Sequence, residues 1–130
     1  MAEETDLIDW KPENIPDVDR LFMRVHRTST TAGELNPGAF RDREGGMSTE
    51  WEKYSTAAEA RARAKTPSDN GVISLPAGKV RLIPDMVVSH TPDVERRVRG
   101  HTDVVGLKTT EVRVRLSRIA QWEIAVPPKT

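Results

Sequence analysis

Alternation marks the first regular element of the chain. Leu21, Met23 and Val25 fall on one side of an extended segment and Phe22, Arg24 and His26 on the other, so Arg24 and His26 project side by side from a strand. Residues 29–38 carry turn chemistry throughout and read as a mobile loop, followed by a short Ala39-Phe40 anchor and a polar turn over 41–46. Residues 47–51 form a brief strand. Thr56-Ala57-Ala58-Glu59 has capping-box spacing and opens an alanine-rich helix over 57–65, which places Arg61, Arg63 and Lys65 towards its C-terminal end and stops before Pro67.

Beyond Gly71 the apolar positions come in bursts at 72–75, 86–89 and 102–105, each bounded by Gly, Pro or Asp, and short strands fit them. Residues 80–83 offer a fourth extended element, closed by Pro84. Over 111–120 two patterns compete. Val112, Val114 and Leu116 alternate with Arg113 and Arg115, but Val112, Leu116, Ile119 and Ala120 also make a helical stripe, and Thr110 can cap it; the helix is preferred. Trp122, Ile124 and Val126 alternate as a last strand before Pro127-Pro128. No internal repeat or low-complexity segment interrupts this order.

These elements predict an α+β fold: a single small domain with a mostly antiparallel sheet of about five or six short strands and one or two helices. Residues 1–20 form an irregular acidic N-terminal arm, 21–126 the domain and 127–130 a C-terminal tail. Composition agrees, since 130 residues suit one core and the aromatic share is only 5%, which leaves that core aliphatic.

Charge divides the chain more sharply than pattern does. The formal net charge is zero, yet residues 1–20 hold seven acids (Glu3, Glu4, Asp6, Asp9, Glu13, Asp17, Asp19) against Lys11 and Arg20, so the remainder is basic by five. Pro12 and Pro16 break any helix in the arm, while Leu7, Ile8, Trp10 and Ile15 are too apolar for a tail that only solvates; the arm is expected to dock on the body or on a partner. The neutral total argues against bulk attraction to nucleic acid or membrane. An acidic start and the lack of an apolar run of about 18 residues point to a soluble, cytoplasmic protein. Fourteen arginines against six lysines carry the stamp of GC-rich coding and a bacterial source.

The absence of cysteine removes disulfides, thiolate metal sites and cysteine nucleophiles together. His26, His90 and His101, with Asp85, Asp93 and Asp103 near them in sequence, lack the close ligand pairs of a zinc site, so no metal is expected. His26-Arg27-Thr28 has the histidine, any residue, threonine form that phosphoesterases of cyclic phosphates use in pairs, but no second copy is present. No spaced-glycine phosphate loop and no serine in a nucleophile elbow appears, which disfavours nucleotide hydrolysis and serine hydrolase chemistry.

Arg24, Ser48-Thr49 and Gln121-Trp122-Glu123 stand in an order that resembles the arginine, serine, glutamate signature of the ADP-ribosyltransferases. The resemblance implies NAD as cofactor, Arg24 holding its diphosphate, Ser48 shaping the nicotinamide pocket and Glu123 as the catalytic carboxylate. Glu50-Trp51-Glu52 satisfies the last element equally. The preferred expectation is an interaction module without cofactor, an accessory, immunity or adaptor protein acting through a protein partner or a second copy of itself. Trp10, Trp51, Arg96, Arg97 and Arg99 are its candidate contacts. Nucleic-acid binding through the arginines from Arg96 to Arg118 is a third possibility, weakened by Asp93, Glu95, Asp103 and Glu111 among them.

Overall fold

The alternating segment of residues 20–26 becomes a central strand. In a computed structural model, which describes residues 8–43 and 45–128, the elements run β1 (Arg20–His26), β2 (Thr30–Thr31), β3 (Glu34–Leu35), β4 (Met47–Trp51), α1 (Ala57–Ala62), β5 (Asn70–Pro76), α2 (Ala77–Arg81), β6 (Val87–His90), β7 (His101–Val105), α3 (Thr110–Ile119) and β8 (Gln121–Ile124). Six of the strands make one sheet in the order β6-β7-β4-β1-β5-β8, and all of its pairs are antiparallel. The α+β architecture expected from the sequence is the one observed. Among the described residues no helix is long and apolar enough to cross a membrane.

The two faces of the sheet differ in chemistry. Leu21, Met23, Val25, Met47, Trp51, Ile73, Leu75 and Val104 bury themselves against Phe40, Val80, Ile83 and Leu116 in the main core. The opposite face carries Arg24, His26, Ser48, Glu50 and His101, and a smaller cluster of Phe22, Val72 and Ala60 beneath α1. Trp51 therefore belongs to the core: it is 2% exposed, and its indole N–H donates to Asp19 at 2.9 Å. The expectation that it anchors an interface is corrected, because the period-two register puts residue 51 on the face of Leu21 rather than in its polar surroundings.

Thr56 caps α1 as its spacing predicts, with both reciprocal bonds of the capping box present, although the helix ends at Ala62 instead of Lys65. Thr109, one residue before the expected cap, closes the start of α3. Residues 29–38 fold into the β2–β3 hairpin, whose Ala32-Gly33 turn has positive φ at both positions, followed by a 3-10 turn over Pro37–Ala39. The extended element expected over 80–83 is instead the end of a helical turn. The first amides of α2 find acceptors outside their own segment: Ala77 N–H donates to Asp19 and Gly78 N–H to Asp17, at 2.9 Å each. The arm thus caps a helix that has no side-chain cap of its own.

Among the described residues the arm packs on the body through Glu13, Ile15 and Asp17. Ile15 enters the core at 4% exposure. Glu13 accepts from Lys53 at 2.7 Å and from the Tyr54 hydroxyl at 2.5 Å, while its amide donates to His90 Nδ1. Asp17 pairs with Arg81. Gly78 admits Asp17 closely, for a β-carbon there would lie 2.6 Å from the Asp17 side chain. Glu3, Glu4, Asp6 and Leu7 lie outside the described residues.

Candidate functional site: a cleft where two strands part

β1 and β4 pair through Leu21 with Trp51 and Phe22 with Glu50, while β1 runs on to His26 fully paired with β5 on its other side. Between the unpaired parts of β1 and β4 opens a cleft of about 550 Å³. Met23, Val25, Met47 and Ala39 contribute apolar atoms to its lining; Ser48, His26 and His101 line it from the strands. Its cations come from three places: Arg24 on β1, Arg41 and Arg43 on the loop before β4, and Arg63 and Lys65 after α1. Among the described residues only Asp42 and Glu50 oppose them along the lining.

Both carboxylates are already engaged. Glu50, 5% exposed, accepts from Arg24 at 3.1 Å, from the Ser55 hydroxyl at 2.8 Å and from Arg63. The same Arg24 nitrogen donates to the Ala60 carbonyl at 3.0 Å, which ties the strand to α1. Asp42 is held by Lys108, whose ammonium is buried and also donates to the carbonyls of Val104 and Gly106. Three donors thus meet three acceptors, the condition under which a lysine can be buried. Arg41, Arg43 and Lys65 pair with no carboxylate among the described residues, so the described part of the rim is net positive.

Of the residues singled out by the ADP-ribosyltransferase resemblance, Arg24 and Ser48 reach this cleft and Glu123 does not. Glu123 sits on β8 at the far edge of the sheet, where it accepts from Arg20 at 2.6 Å and from Ser74 at 2.9 Å. Arg20 lies about 13 Å along β1 from Arg24 at the usual strand rise, with Phe22 between them. Glu52 and, less, Glu123 raise the pKa of Arg20, although burial opposes this. The carboxylate that does reach the cleft is Glu50, from the other occurrence of the motif.

The three histidines divide. His90 lies on the core face, stacked on Tyr54 and edge-on to Trp51; its Nε2–H donates to the Arg99 carbonyl at 2.7 Å and its Nδ1 accepts from Glu13. His26 Nδ1 turns back on Thr28. His101 faces the cleft, with Nε2 3.3 Å from the Ser48 hydroxyl and Nδ1 3.0 Å from the Thr91 carbonyl. Among the described residues no three metal-ligating side chains come together.

The arginines expected to meet a partner are partly spent at home. Arg99 stacks over Tyr54 at 4.4 Å and over Trp10 at 5.9 Å, a contact that also accounts for Trp10, and Arg96 pairs with Asp93. Arg97 stands in the same loop with positive φ. On α3, Arg115 pairs with Glu111. Sequence reasoning picked out Arg24, Ser48, His26 and His101 but missed Arg41, Arg43 and Arg63 as their neighbours, because nothing local reports where two strands part. Comparison with known protein families, characterised proteins and solved structures returns no match.

Proposed function

We propose that the chain binds a phosphate-bearing ligand of about nucleotide size in the cleft between β1 and β4. One observation carries the reading: Arg41, Arg43 and Lys65, with no carboxylate partner among the described residues, ring a cavity of mixed polar and apolar lining whose own carboxylates are neutralised by Glu50–Arg63, Glu50–Arg24 and Asp42–Lys108 pairing. A volume of 550 Å³ falls within the range of small-molecule sites. Arginine forks suit phosphate oxygens. The proposal stops short of NAD transfer, since Glu123 is bound to Arg20 and Ser74 instead.

Calorimetric titration with pyrophosphate and with a nucleoside diphosphate tests it. Binding is expected to weaken as salt rises and to fall about tenfold or more in the double variant Arg41→Gln/Arg43→Gln, the loss of a charge-assisted hydrogen bond or two. Undetectable binding at millimolar ligand, or equal affinity in the variant, refutes the reading.

The adaptor reading keeps a separate argument. β6 is an edge strand, and Val87 and Val105 beside it are 57% and 40% exposed, an apolar strip to which a partner can add a strand. Trp51 and the described part of the arm, which first motivated that reading, find contacts within the chain. Lys substitution at Val87 should abolish any partner recovered with the wild-type protein.

A further inference from the structure

The Ser48 and His101 side chains meet across β4 and β7, 53 positions apart in sequence. The register pairs Ser48 with Asp103 and Glu50 with His101, so His101 sits diagonally from Ser48 on the same face. Its tautomer follows from its neighbours. Nδ1 lies 3.0 Å from the Thr91 carbonyl oxygen, which can only accept, so Nδ1 carries the proton and Nε2 is left with its lone pair towards Ser48. The Thr91 hydroxyl, 2.9 Å from the same Nδ1, donates to Asp103 Oδ2 at 3.1 Å, and Asp103 Oδ1 stands 3.9 Å from Nε2. A hydroxyl thus points at a basic nitrogen whose other nitrogen is fixed and whose surroundings include a carboxylate able to stabilise the imidazolium. The serine–imidazole pair is the one that activates a serine, with a backbone carbonyl holding Nδ1 and the carboxylate lying on the Nε2 side.

We propose that Ser48 is a nucleophile and His101 its general base, acting on a phosphoric ester held in the cleft. The inference rests on the phosphate-binding reading above for its substrate class. In the first step Ser48 Oγ forms a bond to phosphorus, its proton passes to His101 Nε2, the ester P–O bond breaks, and the departing alkoxide takes the proton from His101. In the second, water attacks the phosphoseryl phosphorus with its proton going to His101, and the Oγ–P bond breaks as Oγ regains a proton. Arg41, Arg43 and Lys65 around the cavity supply positive charge for the non-bridging oxygens.

The test uses the full chain with two probes. An alkyl fluorophosphonate is uncharged at phosphorus, so it reports the nucleophile without calling on the cationic rim; attack by Ser48 displaces fluoride and leaves a mass adduct. Peptide mapping of the wild-type protein is expected to place that adduct on Ser48. H101Q should slow its formation by about a hundredfold, the scale of general-base assistance, while the urea midpoint shows that the variant remains folded. S48A should take up no label. Pyrophosphate binding, measured in parallel, reports the cleft. An adduct on Ser48 without pyrophosphate binding keeps the pair and removes the phosphate reading; pyrophosphate binding without an adduct keeps the cleft and overturns the pair. Labelling of other residues alone, or an equal rate in folded H101Q, also overturns it.

Discussion

Arg24 donates to Glu50 at 3.1 Å, so the first call on this strand arginine is a buried carboxylate of its own chain. Glu50 also receives Arg63 and the Ser55 hydroxyl, and truncation strands all three donors around an empty position. Glu50→Ala is expected to lower stability by about 2 kcal/mol, below the usual cost of a broken buried pair because both arginines are partly solvated. Glu50→Gln should retain part of that loss as a neutral acceptor. Urea unfolding midpoints of the two variants decide it.

Lys108 presents a different case, since its ammonium is the more deeply buried member of its pair. Lys108→Met keeps the stem but leaves Asp42 and two carbonyls without their donor; a cost of about 2 to 3 kcal/mol is expected from unsatisfied buried acceptors. The cleft should respond as well, because Asp42 regains an unneutralised charge beside Arg41 and Arg43. Weaker pyrophosphate binding in a folded Lys108→Met protein is the expected readout.

Acid should loosen the arm. The Lys53 hydrogen bond, followed by that from Tyr54, lowers the Glu13 pKa below its ordinary 4.5, and bonds from the Thr56 amide and hydroxyl lower that of Glu59. A carboxyl with a depressed folded pKa adds stability above its unfolded value and loses it as pH falls through the folded one. Denaturant midpoints are therefore expected to decline below about pH 4.5, and less steeply in Glu13→Gln and Glu59→Gln. Lys53 is the mirror image: its pKa is raised, chiefly by the Glu13 hydrogen bond, so its contribution is full below its ordinary 10.5 and fades above it.

Thr56→Ala removes one half of the capping box and should cost about 1 kcal/mol. The effect is expected to reach the cleft, since α1 positions Arg63 and presents the Ala60 carbonyl to Arg24. A modest fall in both melting temperature and pyrophosphate affinity checks the coupling. Unchanged affinity separates the two.

The sheet was legible because its signals are local. Alternation at 21–26, the bounded bursts at 72–75 and 102–105, and the capping box at Thr56 are properties of neighbouring residues, and each element lies where those signals put it, within a few positions. Residues 80–83 misled for the opposite reason. Val80 and Ile83 are buried at helical spacing, but the amides that start this turn depend on Asp17 and Asp19, about sixty positions earlier. Trp51 was misplaced by its polar neighbours, which face the other side of the sheet. The cleft was legible only in fragments: Arg24, Ser48 and His101 stood out singly, whereas their meeting depends on β1 leaving β4 after Phe22, which no residue type announces.

The arm also fixes an order of events. Its contacts with Lys53, Arg81 and His90 span 40, 64 and 77 positions, and closing loops of that length costs chain entropy that hairpin pairing avoids. During synthesis residues 13–19 leave the ribosome before every one of those partners. The Glu13 amide therefore cannot meet His90 until the strand ending there has been made. The segment translated ahead of the sheet is seated beside His90 only after residues 101–105 have emerged to pair with the strand that ends there.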